Sequence, residues 1–248
     1  MNKDSNIYIV IYTVALTVIC GAILALASEG LKPFKEANVA HDLKRNILAT
    51  TMDISSKNKE EVENLYKQLV KTSYVVNAQG EKVEKSVESI NTMEEYSLKR
   101  DKPQDRLLPV YEVASQENPE KTAYYVFPMY GFGLWDYIWG YVALEADFNT
   151  IKGTVFAHKG ETAGLGARIV TEEIRKRYVG KKIFEGDQLA SVEMQKGEGN
   201  NYDSDAHKID GMSGATLTGK GLNVMFEEYF GVYKPFIEKQ KNKLSLAK

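Results

Sequence analysis

Residues 7–27 (IYIVIYTVALTVICGAILALA) carry no charged side chain, and this run constrains the 248-residue chain more than any other feature. As a helix it would be about 31 Å long at roughly 1.5 Å per residue, enough to cross the hydrocarbon core of a bilayer. Tyr8 and Tyr12 suit the interfacial end of such a span. The rival reading is a cleaved signal peptide, because Ala25-Leu26-Ala27 imitates a small-residue cleavage site. Apolar segments of signal peptides typically run about 7–15 residues, and this one is longer, so a retained anchor over residues 1–28 is expected. Charge does not orient it. Lys3 precedes the span, whereas Lys32, Lys35, Lys44 and Arg45 follow it, which taken alone weakly favours a cytoplasmic position for the rest of the chain.

The whole chain is 43% hydrophobic and 27% charged, with a formal net charge of −2, ordinary values for a protein with one substantial globular core. No basic stripe interleaved with aromatics is present, so no nucleic-acid partner is expected. Cys20 is the single cysteine and lies inside the apolar run, which excludes an intrachain disulfide and a cysteine-based metal site. His41, His158 and His207 are widely separated and argue against zinc.

After Pro33, the spacing of Val39, Leu43 and Ile47 predicts a helical stalk. A second helix is predicted over 59–71, with Val62, Leu65, Tyr66 and Leu69 on one face. Residues 29–100 therefore read as a helical linker or insertion, with 81–100 left open. Residues 107–114, 123–130, 140–147 and 150–158 are rich in Val, Tyr, Phe and Thr and are separated by turn formers, the pattern of strands. A helix over 167–178, a strand near 189–195 and a C-terminal helix from about Thr218 complete the reading, with Pro235 expected to kink or end the last. Strands flanked by helices without regular alternation imply an α+β fold with a mainly antiparallel sheet, occupying 101–248.

Three short segments carry the chemistry. In Asp210-Gly211-Met212-Ser213-Gly214-Ala215-Thr216, small residues deliver a hydroxyl to the start of a helix whose apolar face is Leu222, Met225, Phe226, Tyr229 and Tyr233. An anion at Thr216 would meet free N–H groups and the positive end of the helix dipole. Read by itself the segment is equally a helix cap with a turn. In His158-Lys159-Gly160-Glu161-Thr162-Ala163-Gly164-Leu165-Gly166, small residues would let a flat ring approach the backbone, or simply form a strand-to-helix turn. Gly131-Phe132-Gly133-Leu134-Trp135-Asp136 is a glycine turn that carries an aromatic, and a lone G-x-G is weak evidence for a dinucleotide.

The first segment resembles the flavinylation signature D-G-x-S-G-A-T of the FMN-binding domain family. The second resembles the E-T-P-G-L-G signature of the same family, with Ala163 in place of proline. With the G-L-W segment and the N-terminal span, the layout is similar to that of the family of C subunits of Na+-translocating NADH:quinone reductases. The flavin subunit of ion-translocating ferredoxin:NAD reductases is the near alternative. The resemblance implies FMN held covalently by a phosphoester to Thr216, attached by a separate flavin transferase. It also implies a bacterial inner-membrane location with the soluble domain on the periplasmic or outer side. The expected partners are the other membrane subunits of the reductase, with electrons taken from an iron centre and passed to another flavin.

On that implication, the amides of Ser213, Gly214 and Ala215 face the phosphate, Thr218 adds a hydroxyl or caps the helix, and Asp210 orients the loop or the hydroxyl, or forms an Asx turn. Leu165 and Trp135 cover the ring, with Thr162 and the amides of Gly164 and Gly166 at its edge. No separate organic substrate site is expected. Two rivals differ in kind: a hydrolase using Ser213, His158 and Asp210, which lacks a G-x-S-x-G elbow, and an anchored interaction domain without cofactor.

Overall fold

The computed structural model describes residues 6–246, so Lys3 of the orientation argument lies outside the described residues. The first helix, α1 (Asn6–Ala49), runs unbroken through Pro33. The chain divides into two compact units, residues 1–43 and 44–248. In the first, the side chains of 7–27 are almost all solvent-exposed, including Leu24 and Leu26, as a bilayer-facing helix requires.

In the second unit, α2 (Lys59–Leu69) begins at a reciprocal cap: the Asn58 side chain accepts from the Glu61 N–H at 3.0 Å, and Glu61 accepts from the Asn58 N–H at 2.9 Å. Strand β1 (Val70–Asn77) starts immediately after it, followed by β2 (Lys82–Val83), the short helix α3 (Thr92–Ser97), β3 (Leu107–Ala114), β4 (Thr122–Phe132), β5 (Tyr137–Glu145) and β6 (Ile151–His158). These form one six-stranded sheet in the order β2-β1-β3-β4-β5-β6, and every paired neighbour is antiparallel. The expected helical linker thus ends earlier than residue 100, because β1 and β2 belong to the main sheet. The four central strands fall where their composition places them.

After β6 the chain forms a 3₁₀ turn over Gly166–Val170 and the five-residue helix α4 (Glu172–Lys176), where a single helix over 167–178 is expected. Thr171 breaks it: its backbone is extended, and both its N–H and its hydroxyl are turned back to the Arg168 carbonyl. The expected strand at 189–195 is instead a set of two-residue pieces. β7 (Phe184–Glu185) pairs with β8 (Gln188–Leu189), and β9 (Glu193–Met194) pairs in parallel with β10 (Lys208–Ile209).

The last helix, α5 (Thr216–Leu246), starts two residues before the expected position and continues through Pro235 instead of ending there. It lies across the sheet. Phe127 on β4 meets Phe230, Tyr233 and Phe236 with ring centroids 4.8–6.4 Å apart, and Phe226 stacks on Tyr178 at 5.0 Å. Phe226, Phe230 and Phe236 are almost wholly buried, each contributing about 1.5–3 kcal/mol. Further along α5, Glu228 takes Lys99 Nζ at 2.9 Å and the buried Arg106 Nη1 at 3.2 Å. This packing fixes where the N-terminus of α5 is delivered.

Candidate functional site

The three segments singled out in the sequence meet at the start of α5. The β4–β5 hairpin turns over 133–136, closed by Gly133 N–H to the Asp136 carbonyl at 2.9 Å, and Lys159 Nζ pairs with Asp136 Oδ2 at 3.2 Å. The loop after β6 folds onto itself, with the Thr162 carbonyl accepting from the Leu165 and Ala167 N–H groups at 3.1 Å each. The D-G-x-S-G-A-T loop crosses in front. Its Gly214 adopts φ +73°, and a Cβ there would lie 2.8 Å from Leu165 Cδ2, so Leu165 rests directly over this glycine.

Glu161 joins all three, and sequence reading did not single it out. Its carboxylate accepts from the N–H groups of Leu134 at 2.9 Å and Trp135 at 3.0 Å on the hairpin, and from the Thr218 hydroxyl on α5. It is buried, and burial alone would raise its pKa; the bonds from Thr218, Trp135 and Leu134 outweigh that and hold it below the ordinary value. Gly133 and Gly166 are shaped around it, since a Cβ at either would come within 2.4 Å of a carboxylate oxygen.

A second carboxylate, Glu198, anchors the motif loop. It accepts from Arg168 Nη1 at 2.9 Å and Nη2 at 2.6 Å, from Arg177 Nη2 at 2.9 Å, and from the Ser213 N–H at 2.9 Å. The Arg168 bond, then the Ser213 and Arg177 bonds, depress its pKa strongly. Arg177 also donates to the carbonyls of Asp210 and Gly211. Gly211 has no room for a side chain: a Cβ would sit 2.0 Å from the Gln195 carbonyl oxygen. Asp210 accepts from the N–H groups of Gly199 at 2.7 Å and Asn200 at 3.1 Å. Burial would raise its pKa, but those bonds lower it.

These contacts redistribute the expected roles. Of the three amides expected to face a phosphate, Ser213 N–H is taken by Glu198 and Ala215 N–H by the Met212 carbonyl at 3.1 Å. The first helical bond of α5, Gly219 N–H to the Ala215 carbonyl at 3.0 Å, makes Ala215 the N-cap. The N–H groups of Thr216, Leu217 and Thr218 then have no intrahelical acceptor, and these are the donors an anion would meet.

The two threonines differ sharply. Thr218 is buried and its hydroxyl is engaged by Glu161, which removes it as a phosphate ligand, whereas Thr216 is half-buried and its hydroxyl has no partner among the described residues. Trp135 is 65% exposed, so it is not part of the core, and Leu165 is 42% exposed. Thr162 and Gly164 are also exposed, while Gly166 is buried against Glu161 and Thr218. Beside Leu217 a groove of about 180 Å³ opens, walled by Tyr96, Phe132, Lys220, Val224 and Glu228.

The hydrolase arrangement is not assembled. Ser213 is exposed, Asp210 serves the 199–200 backbone, and His158 Nδ1 accepts the Glu161 N–H at 3.3 Å.

An apolar helix long enough to cross a bilayer, an antiparallel sheet backed by α5, and an unpartnered hydroxyl at a helix N-terminus beside exposed loops suit a carrier of a phosphate-bearing cofactor. The FMN-binding domain family matches residues 133–230, which include the G-L-W hairpin and the first half of α5. The chain is 32% identical to NqrC of the Na+-translocating NADH-quinone reductase of Neisseria meningitidis serogroup B, over 97% of this chain and 96% of that one. It is 33% identical to the same subunit of Haemophilus ducreyi, with 97% and 96% covered. The crystal structure of the subunit from Parabacteroides distasonis superposes with a TM-score of 0.72 at 30% identity, covering 84% of this chain and 96% of that one. The Shewanella oneidensis NqrC structure gives 0.69 at 28% identity, with 81% and 97% covered. The chain belongs to the NqrC family, the C subunits of Na+-translocating NADH-quinone reductases. These relatives favour the quinone-reductase complex over the ferredoxin:NAD reductase alternative.

Proposed function

We propose that this chain is the electron-transfer subunit that carries FMN through a phosphoester to Thr216. The observation that carries the reading is the contrast at the start of α5, where Thr216 offers a free hydroxyl beside unpaired N–H groups while the neighbouring Thr218 hydroxyl is locked by Glu161. Because a threonine hydroxyl is a poor nucleophile, attachment requires an activating enzyme. A flavin transferase would break the FAD pyrophosphate, join the FMN phosphorus to Thr216 Oγ1, and release AMP and a proton.

The residues present fit the group. Leu165 over Gly214 and the exposed Trp135 supply apolar cover for a flat ring, with Thr162 and the Gly164 backbone along an edge. Bound there, FMN supplies one- and two-electron redox chemistry. The protein's part is to tether it at high effective concentration and to tune its surroundings. In the complex the chain would receive electrons from an iron centre in neighbouring membrane subunits and deliver them to a flavin on another subunit. The anchor would sit in the bacterial inner membrane with residues 44–248 on the periplasmic or outer side, where no free flavin pool replaces a lost cofactor.

The test is intact mass of the chain co-expressed with a flavin transferase, followed by peptide mapping across 211–220. The expected result is one FMN, less water, on Thr216. Thr216→Val should abolish both the added mass and the in-gel fluorescence after denaturation, and a variant as fluorescent as the parent overturns the assignment.

A further inference from the structure

We propose that Glu161 is the positioning residue of the flavin site, a single buried carboxylate that fixes the walls around the ring before the cofactor arrives. The proposal rests on the flavin reading above and assigns a task to a side chain outside the attachment motif. Each segment that Glu161 joins brings one element of the cradle. The hairpin brings Trp135, through its own N–H and that of Leu134; the loop that contains Glu161 brings Leu165; α5 brings Thr216, two residues before the Thr218 hydroxyl that Glu161 accepts.

A cofactor tethered only by its phosphate can swing on its flexible ribityl chain, so its resting place depends on how firmly those walls are set. Without the carboxylate, the hairpin tip keeps its own closing bond from Gly133 to Asp136 and the exposed Lys159–Asp136 pair, but no described hydrogen bond ties its Leu134 and Trp135 backbone to the loop or to α5. Gly133 and Gly166 carry the same message in space: each leaves out the one atom that would collide with this carboxylate. An ionised carboxylate is acceptor-only and all three partners here can donate, so Glu161 satisfies them together. Gln at this position keeps the shape and can still accept from both amides, with the Thr218 hydroxyl rotating to accept from the new NH₂. Ala removes every link.

The experiment compares the full chain, Glu161→Gln and Glu161→Ala, each co-expressed with a flavin transferase. Intact mass of the parent comes first: a parent without FMN on Thr216 defeats the flavin reading itself and is thereby distinguished from a failure of this proposal. Two readouts follow at temperatures where the far-ultraviolet circular dichroism is native. Amide hydrogen exchange at Leu134 and Trp135 should quicken roughly tenfold or more in Glu161→Ala, the loss expected for a bond to a charged acceptor. Iodide quenching of the bound flavin should rise several-fold in Glu161→Ala and return close to the parent in Glu161→Gln. Parental quenching in a folded, flavinylated Glu161→Ala chain overturns the proposal, as does failure of Gln to restore it. Should Glu161→Ala not accumulate, Thr218→Val severs only the link to α5. An intermediate rise in quenching then supports the proposal, and parental quenching sinks it.

Discussion

At the scale of single residues, the motif loop is held by contacts that leave little freedom. Gly211 is the sharpest case, because its missing Cβ would fall 2.0 Å from the Gln195 oxygen and 2.3 Å from the Gly197 oxygen, both backbone atoms that cannot swing aside. Gly211→Ala is therefore expected to destabilise the protein by about 1–3 kcal/mol, the usual cost of overpacking, measured by denaturant unfolding of the full chain in detergent. It should also lower the fraction flavinylated, because the loop must shift to relieve the clash.

Glu198 makes a separate prediction about pH. Its pKa is depressed by Arg168 first, then by Ser213 and Arg177, so it contributes stability above the ordinary carboxylate value of 4.5 that is lost as pH falls through its lower folded value. The difference in melting temperature between the parent and Glu198→Gln should be full at pH 7 and shrink steadily below about pH 4. A gap that stays constant down to pH 3 would show that the Arg168–Glu198–Arg177 cluster does not anchor the loop through charge. The loop that ends at Thr216 stands out in the sequence because its motif is contiguous. Glu161 lies in the second of the three segments, but its acceptor role, like that of Glu198, was not legible, because the partners of the two carboxylates lie 15 to 57 residues away.

At the scale of elements, strands with a buried face on each side announced themselves, and short or half-exposed ones did not. β3 reads Leu-Leu-Pro-Val-Tyr-Glu-Val-Ala and is buried along most of its length, so its composition is that of a strand and its limits matched the expectation. β1 begins directly at the end of α2, and Lys71, Thr72 and Ser73 are exposed, so the helical pattern of 59–69 ran on into it unchallenged. The pairs β7–β8 and β9–β10 are two residues long, too short for any periodicity to show. The start of α2, by contrast, rests on a local device that sequence alone can reveal. Asn58→Ala removes the side-chain half of the cap and is expected to cost about 1 kcal/mol. The loss should register as a lower denaturation midpoint, with the flavin's fluorescence unchanged, because α2 does not reach the three segments of the site.

At the scale of the whole molecule, the division into 1–43 and 44–248 does not follow the helix boundary, since α1 belongs to both units. The reason lies in its last turn. Ile47 and Leu48 are fully buried, the Ala49 carbonyl accepts Arg175 Nη2 at 3.2 Å, and the Thr50 carbonyl lies so close to β6 that a Cβ on Gly153 would be 2.3 Å from it. The end of α1 is thus a structural part of the second unit, and where the chain is cut should matter more than whether it is cut. A chain spanning 44–248 is expected to partition into water, to melt as the parent does and to accept FMN when supplied with the transferase. A chain spanning 51–248 loses two buried aliphatic side chains and the backbone strut against β6. Each lost side chain alone is worth about 2–5 kcal/mol, a large share of a domain's net stability. The shorter chain should therefore melt far lower or fail to accumulate. Equal melting temperatures for the two chains would show that residues 44–50 are a passive tether, and that the buried contacts of Ile47 and Leu48 contribute nothing to the flavin-bearing unit.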